Sequence, residues 1–276
     1  MAKHRNPLPT SEEKAQRRKT ARLEKINKIV VIFGAFLVAV AGFFTYSYFF
    51  GNPFSKMTAE NNIKTHIEIN YPSLDLDISA VKYDRETGAF YAAASSPNSQ
   101  DTHFWVYAKG AEVWDYYEDS VKDLFNTIDR VELAFSETAK SALVKSGVFD
   151  EKSEISVAVL DFINARESGE FSLDMPVSTD IGCDFALYVT AQKTASVESL
   201  AQTLAEIKSA LPSAELPNIT LVSVTLKEGT KTASAQNVPL EDIDEGLVST
   251  LTHALENPPS LFDGAENKAP LRVSVN

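Results

Sequence analysis

From Ile29 to Phe50 the chain runs for 22 residues without a charged side chain, entered through Lys25 and Lys28 and left through Gly51, Asn52 and Pro53. At about 1.5 Å per helical residue such a run crosses the roughly 30 Å hydrocarbon core of a bilayer, so the pattern predicts a transmembrane helix over 29–50. Beyond it the apolar positions become sparse and periodic. Ile63, Ile67 and Ile69 sit among polar residues and predict a helix over Thr58–Asn70, ended before Tyr71-Pro72. Leu74, Leu76 and Ile78 then alternate with Asp75, Asp77 and Ser79, predicting a strand to Tyr83. Asp84-Arg85-Glu86-Thr87-Gly88 is a hairpin loop into a strand at Ala89–Ser95, and further strands are expected at Thr102–Ala108 and Glu112–Tyr116. A helix followed by an antiparallel meander places one amphipathic helix over one face of a small sheet.

The period changes at Ser120. Val121, Leu124, Phe125, Ile128, Val131 and Phe135 form the stripe of an amphipathic helix that runs to Ser146, with Gly147 as its stop. Residues 150–180 fit strand and helix equally and read as a connector. After them come a strand at Cys183–Ala191, a helix capped by Ser196 and stopped by Pro212, and a strand at Ile219–Lys227, which together make a β-α-β unit. Ile243, Leu247, Leu251 and Leu255 mark another helix, and Leu271–Val275 an edge strand. With one more strand at Thr232–Val238 the second half becomes a ferredoxin-like split sheet. The expected fold class is thus α+β. Its expected divisions are a tail over 1–28, an anchor over 29–50, a meander domain over 51–118, an amphipathic connecting helix over 119–150 and a ferredoxin-like domain over 151–276.

Charge gives this plan an orientation. The first 28 residues hold nine Lys or Arg against Glu12, Glu13 and Glu24, which leaves 17 Lys or Arg against 35 Asp or Glu after the anchor, a balance of −18. Positive flanks stay in the cytoplasm, so the tail is expected inside and the acidic body outside, as a single-pass protein of the cell membrane. Ala39-Val40-Ala41 matches a signal-peptidase site, but cleavage there would leave the apolar start Gly42-Phe43-Phe44, and the anchor is expected to be retained. Cys183 is the sole cysteine, which forbids an internal disulfide and makes the outer domains depend on packed cores.

Thr10-Ser11-Glu12-Glu13 is a capping box for a helix in the tail. Arg17, Arg18, Arg22, Lys25 and Lys28 are candidate contacts for an anionic inner leaflet, at about 1 kcal/mol per basic residue near the surface. The alternative is that they serve only as an insertion signal. Nucleic acid is not an expected partner.

Candidate chemistry is thin. The histidines are His4, His66, His103 and His253, no pair has H-x-x-x-H spacing, and there is no cysteine cluster. Asp101 and His103, completed by Asp75 or Asp77, form the one metal-ligand option, and with it a metal-assisted hydrolase is the alternative reading. No nucleophile elbow and no phosphate-cradling glycine pattern occurs, and no cofactor is expected. The more distinctive feature is aromatic. His103, Trp105 and Tyr107 alternate with Phe104 and Val106, and Trp114 and Tyr116 follow. If Phe104 and Val106 face the helix, Trp105 and Tyr107 lie on the open face, a typical contact surface. The alternative is that these rings pack on the helix over 120–146 as core.

Asn52-Pro53-Phe54, Ala59-Glu60-Asn61-Asn62-Ile63, Tyr71-Pro72-Ser73-Leu74-Asp75-Leu76, Ser96-Pro97, Asp101-Thr102-His103-Phe104 and Trp114-Asp115-Tyr116 together resemble the YfjL-like family of single-pass surface proteins of Gram-positive bacteria. The run Gly182–Leu226 is similar to the C-terminal domain of those proteins, while 89–94 and 150–180 depart from the pattern. The resemblance implies a Gram-positive membrane and a surface location, and it supplies no catalytic residue. The order of the first domain also looks like PepSY or cystatin-type modules, which bind or inhibit partners. The expected function is therefore a non-enzymatic, membrane-anchored extracytoplasmic binding or accessory protein. Its contact residues are Asp101, His103, Trp105, Tyr107, Trp114 and Tyr116, and its partners are the lipid bilayer and a basic or neutral protein or peptide.

Overall fold

A computed structural model describes residues 11–259 and 270–276, with the side chains of 11–24 and 26 outside the description. Helix α1, Ser11–Phe50, contains the whole apolar run and ends where that run ends. Its apolar side chains are exposed, and among the described residues it is the one helix long and apolar enough to cross a membrane. Thr10 of the expected capping box and His4 lie outside the described residues.

Gly51 (φ +75°) turns the chain into α2, Pro53–Asn70. This helix begins five residues earlier than its apolar period suggests, because Asn52 accepts from the Phe54 N–H at 2.9 Å and Pro53 supplies a preset first helical φ. Its buried stripe is Ala59, Ile63 and Ile67. The expected strand 74–83 is instead two short ones, β1 (Asp77–Ile78) and β2 (Lys82–Asp84). Then come β3 (Ala89–Ser95), β4 (His103–Lys109) and β5 (Glu112–Asp115). They form an antiparallel meander ordered β1-β3-β4-β5, with β2 also on β3.

The expected helix over 120–146 is interrupted. A π-helical turn at Glu118–Lys122 precedes Leu124, whose φ of +62° breaks the helical path, and α3 runs from Phe125 to Lys145. Gly147 (φ +77°) follows its end. The ambiguous stretch resolves into β6 (Glu154–Val159) and α4 (Phe162–Glu167). After β7 (Phe185–Gln192), α5 (Val197–Ala210), β8 (Ile219–Glu228), β9 (Lys231–Pro239), α6 (Leu247–Glu256) and β10 (Arg272–Val275) complete the chain.

The second sheet is ordered β10-β9-β8-β7-β6. A parallel β7–β8 pair surrounds α5, as expected for the β-α-β unit, and the other pairs are antiparallel. The ferredoxin-like expectation is wrong. That fold interleaves its strands, whereas these lie in chain order, because β9 forms a hairpin with β8 on the side away from β7, and β6 takes the other edge. The expected connecting helix is also part of this core. Ile128, Val131, Phe135, Ala139 and Leu143 of α3 cluster with Val157, Phe185, Leu187, Leu204 and Val224. Edge strand β6 is closed by side chains of α3: Ser136 Oγ accepts from Val157 N at 2.8 Å and Glu132 Oε1 from Val159 N at 2.7 Å.

By its contacts the chain forms two compact units. Among the described residues one is 11–74, 78–93 and 105–115; the other is 75–77, 94–104, 116–259 and 270–276.

Candidate functional site

Strand β4 alternates cleanly. Phe104, Val106 and Ala108 are buried, while His103, Trp105 and Lys109 are exposed and Tyr107 half-buried. Register carries this parity to β5, where Trp114 pairs with Tyr107 and Asp115 with Val106. Tyr107 and Trp114 therefore project to one face and stack at 5.5 Å between centroids, 11° from parallel. Tyr91 of β3 continues the row, 5.7 Å from Tyr107 and 5.4 Å from Trp105. The first unit thus carries a ladder of four rings, with Trp105 46% exposed at one end. Tyr91, Tyr107 and Trp114 stand nearly face to face, at 26° and 11°, whereas Trp105 meets Tyr91 at 69°, an edge-to-face contact. Tyr91 was absent from the sequence-based set. Its partnership with Trp105 and Tyr107 is a matter of strand pairing, which periodicity does not reveal.

On the opposite face Asp115 meets α2. His66 Nε2 lies 2.6 Å from Asp115 Oδ2, and the Tyr71 hydroxyl donates to both carboxylate oxygens at 3.0 and 2.9 Å. Asn62 Nδ2 donates to Gly110 O at 3.0 Å. These bonds fasten α2 along the β4–β5 hairpin.

In the second unit Asp101 has a different role from the one expected. It is 1% exposed, and its carboxylate accepts from Arg130 Nε at 2.7 Å, Arg130 Nη2 at 2.8 Å, Thr127 Oγ1 at 2.8 Å and Asp174 N at 3.0 Å. Its own N–H donates to Asp174 Oδ1 at 2.9 Å. Burial pushes its acidity toward the neutral form, but the Arg130 and Thr127 hydrogen bonds outweigh this and hold the pKa below the ordinary carboxylate value. Asp101 is therefore a structural hub and not a contact residue. Nor does it converge with His103 into a metal site, since His103 is exposed while Asp101 is sealed inside. Among the described residues no three His, Cys, Asp or Glu side chains gather to hold a metal ion. Tyr116 is 45% exposed, and Tyr117 meets Phe104 edge-on at 5.2 Å.

The basic tail residues contribute the backbone of α1, with Lys25 and Lys28 exposed and the side chains of Arg17, Arg18 and Arg22 outside the description. At its other end α1 is built into the sheet of its unit. Gly51 is buried so closely that a Cβ there would lie 2.5 Å from Phe90 Cζ and 2.9 Å from Tyr83 Cδ2. The Arg85 guanidinium of the β2–β3 loop sits 5.6 Å over Tyr48 and 5.8 Å over Phe49. Sequence periodicity carries no sign of this junction.

Residues 26–115 match the YfjL-like, N-terminal domain. Over 172 residues, 60% of this chain and 67% of the relative, the sequence is 25% identical to a protein of Bacillus subtilis (strain 168) described as uncharacterized protein YfjL. No solved structure matches the chain. The matched domain starts just before the apolar run and stops at the last residue of β5, so the likeness to the YfjL-like N-terminal domain takes in both the end of α1 and the meander seated on it.

Proposed function

We propose that this protein is a single-pass membrane protein with a cytoplasmic N-terminus, whose acidic body lies outside a Gram-positive cell and binds a basic or neutral protein or peptide without catalysing a reaction. The observation that carries this reading is the aromatic ladder Tyr91, Trp105, Tyr107 and Trp114 on the sheet face opposite α2, with its terminal Trp105 exposed. Large rings that are held by neighbouring rings lose little freedom on binding, and such residues dominate contact energetics. The balance of −18 after the anchor favours a cationic partner, and a cation approaching the open face of Trp105 gains a cation–π contact. The length and exposure of the apolar run, with basic residues before it, support the anchor and its orientation. The Bacillus subtilis relative supports the Gram-positive setting.

Two measurements test this. Protease added to intact protoplasts should digest the body while sparing the tail, and a protected body overturns the orientation. Affinity capture from the native membrane should recover a partner with the wild type and lose it with Trp105→Ala, at unchanged circular dichroism. Equal capture by the variant removes the ladder as the contact site.

A further inference from the structure

Where α1 meets α2 and the meander, the first unit holds a recess of about 370 Å³ whose walls include Ser47, Asn52, Ser55, Tyr83, Phe90 and Lys109. Its chemistry is one-sided. Lys109 is its charged lining residue, and no carboxylate lines it among the described residues, although the chain beyond the anchor is strongly acidic. The Ser47 hydroxyl is buried and has no hydrogen-bond partner among the described residues. The side-chain carbonyl of Asn52 is already occupied by the Phe54 N–H, which leaves its amide nitrogen as a donor, and the Ser55 hydroxyl is a further one. Lys109 Nζ donates one of its three protons to Thr87 O at 2.9 Å. The N-terminal end of α2 adds partial positive charge to the same wall.

Position selects the ligand. Ser47 lies on the last turn of a helix that ends at Phe50, so a retained anchor sets this recess at the edge of the hydrocarbon core, within the headgroup layer about 5–7 Å deep. A buried hydroxyl left unpaired is unfavourable, and a phosphate oxygen would satisfy it while the ammonium of Lys109 balances the charge. We infer that the recess bounded by Ser47, Asn52, Ser55 and Lys109 binds the phosphate of an anionic phospholipid headgroup from the outer leaflet. This rests on the membrane-anchored reading above. It makes the first unit a lipid-reading collar around the end of its own anchor.

The test uses the full chain in nanodiscs of mixed phosphatidylcholine and phosphatidylglycerol, with retained lipid measured by native mass spectrometry. Wild type should retain phosphatidylglycerol over phosphatidylcholine. Lys109→Met should lower that preference by about tenfold or more, Lys109→Arg should largely restore it, and Ser47→Val, which removes the hydroxyl, should lower it with the fold intact by circular dichroism. Equal retention by wild type, K109M and S47V overturns the site. Thermal shifts of the detergent-solubilised chain with inorganic phosphate separate the two sources of the anion. A shift by phosphate that matches that of phosphatidylglycerol and is lost in K109M overturns the lipid in favour of a free anion. Flotation with vesicles separates the two readings: a wild-type chain that does not float overturns the anchor and the lipid site with it, whereas flotation with equal lipid retention overturns the recess alone.

Discussion

Arg130 grips Asp101 through two parallel hydrogen bonds, Nε to Oδ1 at 2.7 Å and Nη2 to Oδ2 at 2.8 Å, and its Nη2 also donates to Met175 O at 2.7 Å. One guanidinium thus ties the segment before β4, helix α3 and the loop before β7 together inside the second unit. The partners are unequal in exposure, with 24% of the arginine side chain and 1% of the aspartate accessible. Arg130→Ala leaves a sealed carboxylate without its counter-charge and is expected to cost about 3–5 kcal/mol. Asp101→Ala should cost less, since the freed guanidinium can reach water. Urea denaturation of the detergent-solubilised chain orders the two, and the reverse order would contradict the hub.

The same carboxylate sets an acid limit. Its pKa in the folded chain is lowered, so the stabilisation it gives is complete above the unfolded value near 3.8 and is lost as the pH falls through the folded value. Unfolding midpoints of wild type should therefore drop below about pH 4, and those of Asp101→Asn should show less of that drop.

Glu132 behaves in the opposite sense. Burial, countered only in part by the Val159 N–H and reinforced by Asp129, raises its pKa above the ordinary carboxylate value. A raised carboxylate favours the folded state at low pH and loses that advantage as the pH rises through the folded value. Glu132→Gln keeps an acceptor for Val159 N and removes the buried charge, so it should be neutral to stabilising at pH 7 and closer to wild type at pH 4. Glu132→Ala should lose about 1–3 kcal/mol by leaving the edge N–H of β6 unpaired. Melting curves at the two pH values discriminate these outcomes.

Gly51 admits no side chain. Alanine there would combine a left-handed backbone with contacts below 3 Å to Phe90 and Tyr83, and is expected to cost about 2–4 kcal/mol in the first unit. Faster limited proteolysis between Gly51 and β2 in G51A, with the second unit unchanged, would report it. A G51A chain as resistant as wild type would show that α1 is not seated on the meander.

Cys183 should be an inert thiol. Burial first, and then the charge of Glu170, pushes its pKa up to about 11. At pH 8 its thiolate fraction is about a hundredfold below that of a thiol at the ordinary value, so iodoacetamide should label it correspondingly slowly until the chain is denatured. Labelling at the rate of a small-molecule thiol would refute the half-buried placement beside Glu170.

Elements whose side chains repeat over several turns or pleats were legible. The long apolar helix announces itself because it is apolar all round, and α2, β3, β4 and α5 because one face of each has to be apolar. What failed failed for local reasons. The helix over 120–146 broke at Leu124, a non-glycine residue held at positive φ that no propensity would nominate. The strand over 74–83 split because alternation marks which face is buried and says nothing about where pairing stops. Asp101 reads as a contact residue because a polar residue before a strand is normally solvated, and its partner Arg130 sits 29 positions away on α3.

The sequence by itself determined the long apolar helix and the charge asymmetry on either side of it, the α+β class, the alternation of β4 and the likeness of 26–115 to the YfjL-like N-terminal domain, since each is written in composition or in short-range pattern. Only the tertiary structure decided the chain-order second sheet, the ring ladder, the Asp101–Arg130 hub and the donor-lined recess at the foot of α1. Those depend on which strands pair and which side chains meet across dozens of residues, and such choices are made by the competition to bury apolar surface without stranding polar groups.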